Sequence, residues 1–157
     1  VGKAFQLIGE FTVCAVDDPG NQDVLCVGPS IVATIDGQIQ SLTLFVGTAA
    51  GNIRVAVYAA DGTGGAPDTL LGESASVAAV EGWQTIPLVA PVPVSAGDGF
   101  WLACNFDDGG CATRLGAIDS AVGHIVAQAY GAMPDPFPLG GSTPGNRTRS
   151  FYCLINP

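Results

Sequence analysis

The sequence predicts an all-β domain built as an antiparallel β-sandwich of about ten short strands, with no substantial helix. Three observations lead there. Apolar residues recur with a period of two rather than 3.6 along nearly the whole chain. The 22 glycines and 11 prolines punctuate it too densely for long helices. Apolar residues make up 48% and charged residues only 12% of 157 residues, which suits one cored domain and not a disordered chain. A single domain over 1–157 is expected, without internal repeat or boundary.

The elements can be taken in order. Phe5, Leu7, Gly9, Phe11 and Val13 alternate with Gln6, Glu10 and Thr12, and Ile8 is the exception. Residues 24–35 form a second apolar run, broken at Gly28-Pro29. Asp36-Gly37 has the chemistry of a two-residue hairpin turn. In 39–46, Leu42, Leu44 and Val46 share a face. Ile53, Val55 and Val57 alternate with Arg54, Ala56 and Tyr58 in the cleanest strand pattern of the chain. The glycine-rich stretch 61–70 excludes regular structure. Strands are expected at 73–80 and 82–88, and Pro91 and Pro93 place their stretch at a sheet edge or outside a sheet. Residues 100–106 and 111–118 read as a cysteine-flanked hairpin, 124–130 as a short strand, 133–145 as a loop and 148–155 as the closing strand.

The charge balance narrows the partners. Fourteen Asp/Glu against five Lys/Arg, with Lys3 the lone lysine, give a net charge of −9. Such a surface repels phosphate backbones and anionic lipid, so nucleic-acid binding is disfavoured. No apolar stretch is long enough to cross a bilayer, so membrane insertion is not expected. The chain opens at Val1 rather than Met, as after removal of a leader, which implies secretion, or after trimming of an initiator Met, which fits a particle protein made in the cytosol.

Five cysteines stand at Cys14, Cys26, Cys104, Cys111 and Cys153, without a C-x-x-C pair. Cys104 and Cys111 bracket a Gly/Asp-rich turn, and Cys14 and Cys26 bracket another; a bridge across each is expected, with Cys14–Cys153 the rival pairing. Bridged loops would imply an oxidising setting or a particle surface outside cells. Unbridged, the cysteines would act as small buried hydrophobes.

The stretches IQSLTLFVGTAAGNIRVAVYAADGTGGAPDTLLGES, GWQTIPL, VPVSAGDGFWLACNFD, AQAYGAMPDPFP and SFYCLI occur in that order. They resemble bacterial and bacteriophage extracellular β-sandwich modules, jelly rolls of the carbohydrate-binding-module type, over roughly residues 24–155. The resemblance implies a jelly-roll-like fold and an extracellular or virion-surface location. It implies function less strongly, because one sandwich hosts many functions. The cysteines depart from the pattern.

Catalytic constellations are thin. His124 is the single histidine, in a strand-like run, and neither a G-x-S-x-G elbow nor an H-E-x-x-H motif is present. The aspartates sit mostly in turns, where such side chains ordinarily hydrogen-bond their own backbone. Asp17, Asp18 and Asp23 are dense enough in oxygen for a structural Ca²⁺, the one cofactor the sequence leaves room for, although the EF-hand spacing is missing. For glycan contact the candidates are Trp83, Trp101, Tyr58, Tyr130 and Phe137, with Phe137 the most exposed by its proline-flanked loop. Large aromatics on sandwich strands more often fill cores. Asn146-Arg147-Thr148 is a glycosylation sequon, and Arg147, Arg149 and Phe151 alternate as at a solvated strand start.

The N-terminal segment 1–13 carries the sharpest functional signal. An alternating strand with Gly9 at its middle either completes a neighbour's sheet by β-augmentation or is the first strand of its own sandwich. The expectation is a non-enzymatic structural subunit of an extracellular assembly, a virion decoration or head-fibre protein or a filament subunit. Its partners would be copies of itself or other shell or filament subunits. The alternative is a module adhering to surface glycans.

Overall fold

The computed structural model describes residues 5–28 and 30–157, apart from the side chains of 117–122 and 146–147. Residues 1–4 of the expected first strand, and the side chains of Asn146 and Arg147 in the sequon, lie outside that description. The described residues form strands β1 (Gln6–Gly9), β2 (Val16–Asp18), β3 (Val24–Val27), β4 (Ile31–Val32), β5 (Gly37–Thr48), β6 (Asn52–Ala59), β7 (Leu70–Glu73), β8 (Val77–Ala78), β9 (Gly82–Val94), β10 (Gly99–Phe106), β11 (Ala112–Ala127), β12 (Thr143–Arg149) and β13 (Phe151–Asn156). The all-β sandwich is therefore as the alternation indicates: two antiparallel sheets packed face to face. Several strands are longer than expected, β11 reaching 16 residues.

One sheet runs β1–β13–β5–β9. The other runs β7–β6–β10–β3–β11–β12, with β8 beside β6 and β4 beside β10. Strand β11 joins them. Its first residues pair with β5 and β2, its last residues pair with β3, and β12 runs along it from Leu115 to Ile125. Between the sheets, Leu42, Leu44 and Val46 of β5 and Phe151 and Ile155 of β13 meet Ile53, Val55 and Val57 of β6 and Phe100 and Phe106 of β10. Alternation on both sheets points these side chains inward, and their removal from water is the main stabilising term.

A second core lies on the outside of the second sheet. Ala56 and Tyr58 of β6, Trp101 and Ala103 of β10 and Leu25 and Val27 of β3 pack there against Met133 and Phe137. The latter two belong to the segment 128–142, which folds back over the sheet. Hydrogen bonds fix it: the Tyr58 hydroxyl donates to the Pro134 carbonyl at 2.8 Å, and Phe137 N–H donates to the Asp68 carbonyl at 2.8 Å. Trp101 Nε1 donates to the Gly65 carbonyl at 3.0 Å, and Phe137 meets Tyr58 edge-on at 5.4 Å. Both faces of β6 are thus buried, where alternation alone distinguishes two faces and does not say that the second is covered.

Three local expectations need correction. Asp36-Gly37 does not make a hairpin, because β4 pairs with β10 while β5 pairs with β13 and β9. The turn instead carries the chain from one sheet to the other. Residues 100–106 and 111–118 are not a hairpin either, since β3 lies between β10 and the end of β11. The stretch 73–80 is not one strand but the end of β7 and the short β8. Pro87, Pro91 and Pro93 do lie within an edge strand, β9.

Phe137, only 3% exposed, is core rather than ligand platform. Phe137→Ala is expected to lower the unfolding free energy by about 3–5 kcal/mol in urea titration; a loss below about 0.5 kcal/mol, as at ordinary surface sites, would show that the segment 128–142 does not cover the sheet.

Candidate functional site

The N-terminal edge is built from β1 and the residues up to Val13. Strand β1 pairs with β13 in its own sandwich, Gln6 facing Ile155 and Gly9 facing Tyr152. Glu10 N–H donates to the Phe151 carbonyl at 3.0 Å. Ladder bonds of an antiparallel pair fall on alternate residues, so Gln6 and Ile8 also turn their backbone groups toward β13. Leu7 and Gly9 turn theirs outward, and among the described residues no strand lies beyond β1. Gly9 has φ +113°, and a Cβ there would lie 2.5 Å from the Phe151 carbonyl oxygen, so only glycine fits the end of this strand.

The facing of this strand is the reverse of the sequence pattern. Ile8, the exception to the alternation, is the residue that packs against the core. Phe5, Leu7, Phe11 and Val13 are exposed, at 69%, 42%, 56% and 50% of their surface. Single exposed apolar residues are ordinary, but four from one segment beside a free sheet edge are a patch.

Each aspartate of the predicted cation site has a partner of its own. Asp17 pairs with Arg114 at 3.2 Å, Asp18 with Arg149 at 2.6 Å, and Asp23 accepts a hydrogen bond from Tyr130 N–H at 2.8 Å. Among the described residues no group of His, Cys, Asp and Glu side chains converges as a metal site. Arg149 is the residue that sequence reasoning missed. It is buried at 6% exposure, and its guanidinium also donates to the Thr113 hydroxyl. The signal was available: Arg149 shares parity with Phe151, Cys153 and Ile155, all of which point inward.

The glycan-contact candidates divide. Tyr58, Trp101 and Phe137 are buried, which removes them from any ligand surface. Tyr130 holds its hydroxyl 2.6 Å from that of Ser76. Trp83 is 37% exposed on the outer face of the first sheet. It meets Phe45 edge-on, with centroids 5.2 Å apart, and Tyr152 at 5.2 Å. Phe45 and Tyr152 were not singled out from the sequence, although cross-strand register puts Phe45 opposite Trp83.

His124 is half-buried against the rings of Trp101 and Phe137. Its Nδ1 lies 3.2 Å from the Ser142 hydroxyl, which itself donates to the Leu139 carbonyl at 2.8 Å. The Ser142 hydroxyl is thus placed between the Leu139 carbonyl and the imidazole. Burial lowers the His124 pKa.

All five cysteines are free thiols. The expected 104–111 bridge fails because no hairpin brings its strands together. The 14–26 bridge fails because half-buried Cys14 is held by its N–H on the buried Ser150 hydroxyl while Cys26 lies in the core between the sheets. In the rival pairing, Cys153 faces Ile8 and not Cys14. Burial pushes the Cys153 thiol up to about 12. Cys26 instead stands opposite Cys104.

No protein-family model matches the chain, and no curated protein matches it.

The buried ion pair and the half-buried histidine each give an expectation. Arg149→Met strands Asp18 without its cation and should cost about 3 kcal/mol or more in urea unfolding, with part recovered in the double variant Asp18→Asn/Arg149→Met. At His124 the folded-state pKa lies below that of the unfolded chain, so the unfolded state takes up the proton first and stability falls as pH drops through about 6.5. His124→Gln should flatten that part of a Tm-against-pH curve, and an unchanged curve would contradict it.

Proposed function

We propose that this protein is a non-enzymatic structural subunit of an extracellular assembly, such as a virion surface or a filament, and that its N-terminal edge docks a second copy. One observation carries the reading: the outward backbone groups of Leu7 and Gly9 stand beside the exposed side chains of Phe5, Leu7, Phe11 and Val13. A strand added there forms ladder hydrogen bonds worth about 0.5–1.5 kcal/mol each and covers the apolar strip. The net charge of −9 repels copies, which makes contact depend on backbone pairing and apolar burial rather than on charge.

Sedimentation velocity tests the reading. The protein is expected to associate as concentration rises, and more strongly in high salt, where like charge is screened. Leu7→Asp/Phe11→Asp should return it to monomer without changing its circular dichroism. A monomer at all concentrations and salts would overturn the proposal.

A second reading, glycan binding, has one observation behind it: Trp83 grouped with Phe45 and Tyr152 on an outer face. It predicts a change in Trp83 fluorescence with oligosaccharides that Trp83→Phe abolishes. Silence across a panel of neutral and acidic oligosaccharides would dispose of it.

A further inference from the structure

Cys26 of β3 and Cys104 of β10 stand opposite each other in the ladder. Two residues along, Gly28 N–H donates to the Leu102 carbonyl at 2.9 Å. Pairs two residues apart in an antiparallel ladder are of the same kind, so Cys26–Cys104 is also a hydrogen-bonded pair, with Cα atoms about 5.5 Å apart. That matches the Cα separation most disulfides adopt, about 5.5–6 Å. Both side chains point to the same inner face, 2% and 0% exposed, and each thiol is the largest single influence on the other's pKa; Cys26 Sγ also lies 3.9 Å from Asn21 Oδ1. No other two cysteines are so placed: Cys14 Sγ lies 4.0 Å from the Thr148 carbonyl, Cys153 faces Leu42, and Cys111 sits just before β11.

We propose that Cys26 and Cys104 form a redox pair that closes to a cross-strand disulfide by exchange with a small-molecule disulfide, stapling β3 to β10. The inference is independent of the assembly reading. Cys26 is the attacking group. The hydrogen bond from Cys104, aided by the Arg149 charge, outweighs burial and lowers its thiol to about 7. Cys104 is held well above its ordinary range by the same hydrogen bond and by burial. A cavity of about 290 Å³ has Cys26, Gly28, Ile125 and Arg149 among its walls.

The exchange balances. The Cys26 thiolate attacks one sulfur of the small disulfide, its S–S bond breaks, and the departing thiolate takes up the proton that Cys26 released. Cys104 then gives up its proton and attacks Cys26 Sγ; the mixed disulfide breaks, and the second small thiolate takes that proton. Two protein thiols are oxidised, and one small disulfide is reduced to two thiols.

The test uses the reduced full chain with oxidised 2-mercaptoethanol at pH 8, followed by alkylation in denaturant and peptide mapping. Half-exposed Cys14 is the internal control, since it forms a mixed disulfide wherever the reagent is active. The expected result is a cross-linked peptide joining residues 26 and 104, three fewer alkylated thiols (Cys14 as mixed disulfide, Cys26 and Cys104 as the link) and a Tm several degrees higher, because the closed loop is long. Cys104→Ser should abolish the link and leave Cys26 carrying the small thiol. Should that variant fail to fold, Cys111→Ser decides, since the 26–104 link must survive in it. A link between any other two cysteines, or intact thiols at 26 and 104 after Cys14 has reacted, would overturn the proposal.

Discussion

Every inward side chain of β5, β9 and β13 needs an apolar neighbour from β6 and β10, and the rest of the structure meets that requirement with a chain rich in turns. A sheet has a second face and two edges as well. The outer face of the second sheet is covered by the chain's own segment 128–142, anchored at Met133 and Phe137. On the side where β7 approaches β9, a Ser74–Leu88 bridge and the prolines of β9 blunt the edge. Among the described residues, the β1 edge receives neither treatment. It is a short strand with outward backbone groups and an apolar flank, and a protein of net charge −9 leaves it facing solvent.

How much of this is legible in the sequence depends on what period two can report. It separates the faces of a strand, so Ile53, Val55 and Val57 are correctly assigned together. It cannot say whether the opposite face meets water. Tyr58 and Trp101 therefore read as ligand candidates, and only the path of the segment 128–142 shows them covered. Nor does adjacency in sequence specify pairing. The turns at 36–37 and 107–110 have hairpin chemistry, yet their flanking strands pair with distant partners, because residues near in sequence join different layers. The disulfides expected from those turns fail for the same reason.

The candidate site is half legible. The pattern around Gly9 marks the segment, and glycine is required there by a positive φ and a close carbonyl. The facing is inverted, because the side of a strand with more apolar residues reads as the buried side. A strand used at an edge can present that majority outward and anchor itself with one residue, here Ile8. Arg149 shows the converse. It reads as a solvated charge by type, yet its parity with Phe151 places it inside, where Asp18 and Thr113 satisfy it.

The core and the edge meet at β13, whose inward residues hold the sandwich together while its backbone carries β1. Whether β1 is a finished edge or a docking surface is therefore a question about the amides of Leu7 and Gly9. Hydrogen–deuterium exchange measured from dilute to concentrated protein asks it directly. The account predicts rapid exchange at these two amides in dilute solution and protection that grows with concentration, while the amides of β5 and β10 stay protected throughout. Exchange at Leu7 and Gly9 that is indifferent to concentration would contradict it.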